Sequence, residues 1–134
     1  MVLLRNPALL NTDGWASMAA GLWFYMTPQD PKPSIHDVMT GFFEPNDIDL
    51  ANNIGANFAT TTNIINGGME CGQGIGSNDA VEKRGTYFNK WLEFFGMPGE
   101  QNTDCGNQPN LMPAEGAGDV SMYFDKDWSG TGKC

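Results

Sequence analysis

The sequence predicts a mainly α-helical domain, and three observations carry the prediction. Between Asp79 and Phe95, the apolar residues Val81, Phe88, Trp91, Leu92 and Phe95 recur at helical spacing on one face. Ser77 or Asn78 is placed to cap that helix, and Gly96 with Pro98 beyond stops it. A second helix is expected from about Gly14 to Met26, where Asn11, Thr12 and Asp13 supply N-cap candidates and Thr27-Pro28 closes the run. The third observation is size: 134 residues, 40% hydrophobic and 11% aromatic, make one domain's length with enough apolar material for a core.

The elements follow in order. The 14–26 helix is apolar on nearly every face (Trp15, Met18, Ala19, Leu22, Trp23, Phe24, Tyr25, Met26), which predicts a central core helix rather than an amphipathic one. Trp15, Trp23 and Trp91 are accordingly read as core. Pro28, Pro31 and Pro33 predict an extended, stiff connection. Ser34 caps a short helix from Ile35 to Thr40, with Gly41 at its end, and a further short helix is expected between Asn46 and Asn53. In Phe58 to Asn66, Thr60, Thr61, Thr62, Ile64 and Ile65 favour a strand by propensity, and so short a run has no deciding period. Residues 72–78 form a glycine-rich loop without the Gly-Lys-Ser/Thr ending of a phosphate-binding loop. Gly85 sits inside the 79–95 helix at a cost of about 1 kcal/mol relative to alanine, which predicts close packing there. From Gly106 onward the chain reads as an irregular extension pinned by Met122, Tyr123, Phe124 and Trp128.

Charge and cysteine content narrow the function. Sixteen acidic against seven basic side chains give a net charge of −9, which opposes binding to nucleic acid or anionic membranes and suits a neutral or cationic ligand. The longest mostly apolar stretch, Trp15 to Met26, falls short of the roughly 20 residues of a membrane-spanning helix. MVLLRNP has no sustained apolar run before Arg5 and Pro7, so a secretion signal is not expected within this sequence. Of the three cysteines, Cys71 and Cys105 are the expected pair with Cys134 left over; three reduced thiols are the alternative. That disulfide would contribute roughly 3–4 kcal/mol on the chain-entropy model.

The stretch with the most chemistry is Thr62 to Gly72, TNIINGGMECG. An apolar pair, Ile64-Ile65, leads into Asn66, two glycines and Glu70 beside Cys71, so a buried segment turns and presents an amide and a carboxylate. Gly67 and Gly68 would permit positive φ and the close approach of a ligand; the same Asn-Gly-Gly is equally a helix C-cap or a turn. No cofactor or metal is expected: His36 is the sole histidine and reads as a structural hydrogen bond near a helix start. Glu44, Asp47 and Asp49 lack EF-hand spacing.

TNIINGGMECG resembles the TNIINGGLECG signature of plant-type chitinases of glycoside hydrolase family 19. The resemblance spans roughly residues 2–108. Leu3-Leu4-Arg5-Asn6-Pro7 is similar to the family's LLNNP, Leu22 to Gln29 to its LWFWMTPQ, and Pro31-Lys32-Pro33-Ser34 with His36-Asp37-Val38 to its PKPSCHDV. Beyond the signature it continues through Arg84, Tyr87 and Phe88 to Asp104-Cys105. It implies a mainly helical, lysozyme-like fold with a cleft between two lobes, residues 1–108 being the C-terminal part of the catalytic domain and 109–134 an extension. It also tips Phe58 to Asn66 toward a helix ended by Gly67-Gly68.

Family members hydrolyse chitin, a β-1,4-linked N-acetylglucosamine polymer, with inversion, which requires one carboxylic acid and one carboxylate base on opposite sides of the scissile bond. In the family the acid lies in a His-Glu-Thr motif and the base follows it. Neither motif occurs here, and none of the six glutamates (Glu44, Glu70, Glu82, Glu93, Glu100, Glu115) has the acid's context. The chain is thus expected to be the C-terminal half of a chitinase domain, inactive by itself.

The resemblance implies sugar contacts at Gln29, Lys32 and Asn66, and an electrostatic pair of Glu70 with Arg84 beside the catalytic acid. A guanidinium there stabilises ionised carboxylates; an ordinary salt bridge is the plain alternative. The chain departs from the pattern by an insertion between Gly74 and Asp79, and by Ile35 where many relatives have cysteine. Expected partners are chitin or N-acetylglucosamine oligomers and an N-terminal half or other chain covering the 14–26 helix, in a secreted, extracellular protein. The rival reading is an inactive chitinase-like carbohydrate-binding or structural module.

Overall fold

The computed structural model describes residues 5–29 and 32–111. Its helices are α1 (Leu9–Thr12), α2 (Gly14–Met26), α3 (Ile35–Thr40), α4 (Asp47–Ala51), α5 (Phe58–Glu70) and α6 (Asp79–Phe94). The tail residues Met122, Tyr123, Phe124 and Trp128, with Glu115 and Cys134, lie outside the described residues.

Capping fixes most of the helix starts. Asp13 accepts from the amides of Trp15 (2.9 Å) and Ala16 (3.2 Å) to open α2. Ser34 Oγ accepts from Asp37 N at 2.9 Å to open α3, which closes on Gly41 at φ 80°. Asn46 and Asp49 form a reciprocal capping box on α4. Asn57 accepts from Thr60 N, and Asn78 from Ala80 N, at the starts of α5 and α6.

Four expectations need correction. The first concerns α2, which forms but is not the core: none of its residues is buried, and Trp15 is 86% exposed with Met18, Leu22, Trp23 and Met26 also open. Only Phe24 and Tyr25 pack against the cluster of Ile35, Val38, Phe43, Ile54, Ile64 and Leu111. A helix apolar all round needs neighbours all round, and among the described residues they cover one side only. The second concerns the proline-rich connection, which doubles back instead of extending. Gln29 and Lys32 pair as an antiparallel bridge, with Gln29 N donating to Lys32 O (3.0 Å) and Lys32 N to Gln29 O (2.7 Å). Both residues, unlike the prolines around them, keep the N–H that such a bridge needs.

The third concerns α5, which passes through Gly67-Gly68 to Glu70, with its break at Asn66 (φ −150°, ψ 38°). Its threonines overcome their strand propensity because each is buried with its hydroxyl bonded; Thr61 Oγ1, for example, donates to Phe58 O at 2.7 Å. The fourth concerns α6. Val81 and Gly85 are buried, and Phe88 stacks on Phe58 with centroids 4.0 Å apart, but Trp91 and Phe95 are exposed and stack on one another. Phe58 is the first residue of α5, so α6 beyond Phe88 runs past the helix it packs on.

Two features lock α5 in place. Cys71 and Cys105 form a disulfide with Cα atoms 4.9 Å apart. Beyond it the chain is strapped across α5: Asn63 Nδ2 donates to Gln108 Oε1 (3.2 Å) and Pro109 O (2.8 Å), while Asn63 Oδ1 accepts from Leu111 N (3.2 Å). Leu111 is buried in the core cluster, although it falls in the stretch read as an extension. Gly85 does mark close packing, since a Cβ there would lie 2.6 Å from Thr103 Oγ1.

Candidate functional site

The site is assembled on the second half of α5. Thr62, Asn66 and Glu70 recur at intervals of four, the spacing of one helix face, with the backbone broken at Asn66. Arg84 reaches that face from α6: Nη1 donates to Glu70 Oε2 at 2.6 Å, Nη2 to Oε1 at 3.1 Å, and Nη1 also to Thr62 Oγ1 at 3.4 Å. The two-pronged geometry fixes the carboxylate plane as well as its position. Glu70 is only 8% exposed. The hydrogen bonds from Arg84 hold its carboxyl below the usual range; burial opposes this, while the Arg84 charge and a hydrogen bond from the Asn66 side chain reinforce it.

Asn66 itself is exposed, at the break in the helix. Just upstream, Lys32 Nζ donates to the Ile64 carbonyl at 2.9 Å. Lys32 is not the open loop lysine that sugar contact would suggest. It is 7% exposed, and burial lowers its pKa. Gln29, its backbone partner in the bridge, is exposed. The five predicted residues therefore fall into two runs of contacts, Gln29 with Lys32 and the Ile64 carbonyl, and Glu70 with Arg84, while Asn66 stands at the helix break two residues beyond Ile64.

The glycine pair has a different role from the one expected. Neither Gly67 nor Gly68 has positive φ. A Cβ at Gly67 would collide with Asn63 Oδ1, and one at Gly68 would lie 3.1 Å from Asn110 Nδ2. The glycines make room for the Asn63 side chain and for the strap at Asn110. His36 likewise differs: its ring stacks on Phe42 and meets Tyr25 edge-on, with Nδ1 3.6 Å from Asp37 Oδ1, too long for a hydrogen bond.

Sequence reasoning missed Thr62, although its spacing from Asn66 and Glu70 was available as a signal. It also missed Asp104, whose carboxylate accepts from Gly76 N (2.6 Å) and Gly106 N (2.7 Å) and so pins the glycine-rich loop beside the disulfide. Nothing in the local pattern around Asp104 points there. Among the described residues, no three of His, Cys, Asp and Glu gather as a metal site would require.

Comparison with known proteins decides the family. The glycoside hydrolase family 19 model, described as chitinase class I, matches residues 1–105. The chain belongs to glycoside hydrolase family 19. Its mainly helical build is thus the family's lysozyme-like fold, and all five site residues fall inside the matched region. Endochitinase 1 of Solanum tuberosum is 46% identical over 106 residues, 79% of this chain and 33% of that protein. Acidic endochitinase Q of Nicotiana tabacum is 46% identical over 109 residues, 81% of this chain and 42% of that protein. Inactive chitinase-like protein 2 of Hevea brasiliensis is 44% identical over 106 residues, 79% of this chain and 30% of that protein. The chain spans about a third of the length of the first curated relatives it matches.

Proposed function

We propose that this family 19 chain is the C-terminal part of the catalytic domain of an inverting endochitinase acting on β-1,4-linked N-acetylglucosamine polymers. It supplies one wall of the cleft and electrostatic support, and the general acid and base belong to a segment outside this sequence. The observation that carries the reading is the buried Glu70, held by a half-buried Arg84 and set against the exposed Asn66. A carboxylate so fully engaged is a poor proton donor, but its guanidinium partner can favour the ionised form of a second carboxylate brought beside it. The exposed amides of Gln29 and Asn66 suit the hydroxyl and N-acetyl oxygens of a sugar. The disulfide fits a protein that works outside the cytosol.

Calorimetric titration of N-acetylglucosamine oligomers tests the binding half of this reading. The chain is expected to bind them, and Asn66→Ala to weaken binding by roughly tenfold, the size of one lost hydrogen bond. A chain with no affinity for the oligomers contradicts it.

A second reading is favoured by the similarity to the Hevea protein, whose name calls it inactive. On that reading the chain binds carbohydrate or serves a structural role without hydrolysis. Intact mass and N-terminal sequencing of the native material separate the two. An upstream segment carrying the acid and base glutamates supports the first; their absence from the native protein supports the second.

A further inference from the structure

Lys32 is 7% exposed, and its ammonium donates to a neutral backbone carbonyl, that of Ile64. Such a placement is unfavourable for a charge on its own, so the fold must hold the residue there. It does so from both sides. The Lys32 backbone is paired with Gln29, and Ser34, two residues on, caps α3. The carbonyl that Lys32 reaches is also distinctive. In an unbroken helix the Ile64 oxygen would face the amide of residue 68; the break at Asn66 lies between the two. The ammonium thus sits on the last turn before the break, and the residue at the break is the exposed Asn66.

We propose that Lys32 is a positioning residue: by holding the Ile64 carbonyl beside the break in α5, it fixes the turn that presents Asn66 to a ligand. Its effect on a sugar is then exerted through Asn66 rather than by direct contact. The functional consequence rests on the carbohydrate-binding reading above, whereas the structural part stands on the geometry alone, and the two are tested separately.

Hydrogen exchange by mass spectrometry on the full chain tests the structural part. In Lys32→Met, amides of residues 65–70 are expected to exchange about tenfold faster or more, as loss of a hydrogen bond from a charged donor implies. Those of residues 35–40 should be unchanged, and Lys32→Arg should restore part of the protection. Unchanged exchange at 65–70 overturns the proposal. Should Lys32→Met lose protection throughout, the through-hydrogen-bond coupling between Lys32 Nζ and the Ile64 carbonyl carbon in the native chain decides: its presence supports the proposal and its absence overturns it. Affinity for N-acetylglucosamine oligomers tests the functional part through a double-mutant cycle. If Lys32 acts through Asn66, Lys32→Met adds little to the loss caused by Asn66→Ala. Losses that add in full place Lys32 on the sugar itself and overturn the proposal. A native chain that binds no oligomer counts against the carbohydrate reading, and the exchange result alone then decides the placement.

Discussion

Glu70 commits both carboxylate oxygens to Arg84. Because the folded-state pKa is depressed below the unfolded one, the pair's stabilisation is present above the ordinary carboxylate range and is lost as pH falls through the folded value. Glu70→Gln should therefore cost about 1–3 kcal/mol at neutral pH, the size of a hydrogen bond to a charged group. That deficit should shrink in acid, where the native carboxyl protonates too. Urea unfolding of both proteins at pH 7 and pH 3 checks this; a deficit that grows in acid would be the wrong sign. Gly85 allows an equally local test. In an exposed helix Gly→Ala gains about 1 kcal/mol, but here Thr103 Oγ1 lies 2.6 Å from the added carbon. Gly85→Ala should instead destabilise by about 1–3 kcal/mol, the cost of overpacking, and a Tm that rises would show that Thr103 gives way freely.

At the level of elements, α3 and α6 were legible because their caps and stops, Ser34 with Gly41 and Asn78 with Gly96, are local signals that tertiary packing reinforced. The end of α5 was not. Asn-Gly-Gly is locally a terminator, and only the strap at 108–111, far away in sequence, needs those glycines inside a continuing helix. The strap was equally illegible, since Gln108, Pro109 and Asn110 have the texture of a loop until Asn63 is seen to bond both sides of it. The Glu70–Arg84 pair and Asn66 were readable from the family signature, whereas the inward turn of Lys32 depends on a bridge that no local rule predicts. The strap is anchored at its start by the disulfide. Replacing Cys71 and Cys105 by serine should cost about 2–5 kcal/mol and speed exchange at residues 66–71 before that at α3. Uniform loss across the chain would show that the strap is not a separate unit.

For the molecule as a whole, the open side of α2 and the overrunning end of α6 present Trp15, Trp23, Trp91, Phe94 and Phe95 to solvent. Apolar area of that kind marks an interaction surface. The isolated chain should self-associate in sedimentation, and more so as salt screens its net charge of −9; a monomer at all salt concentrations would contradict this. An N-terminal part of the same domain is the partner proposed for that surface, and it is also where the missing acid and base would lie. The most direct test of this account is reducing-end release from N-acetylglucosamine oligomers, measured on the purified 134-residue chain and on the native protein that contains it. The account predicts hydrolysis by the native protein and none by the chain alone. Hydrolysis by the chain alone would contradict it, because an acid and a base would then have to be found in a chain whose one buried glutamate among the described residues is already bound to arginine.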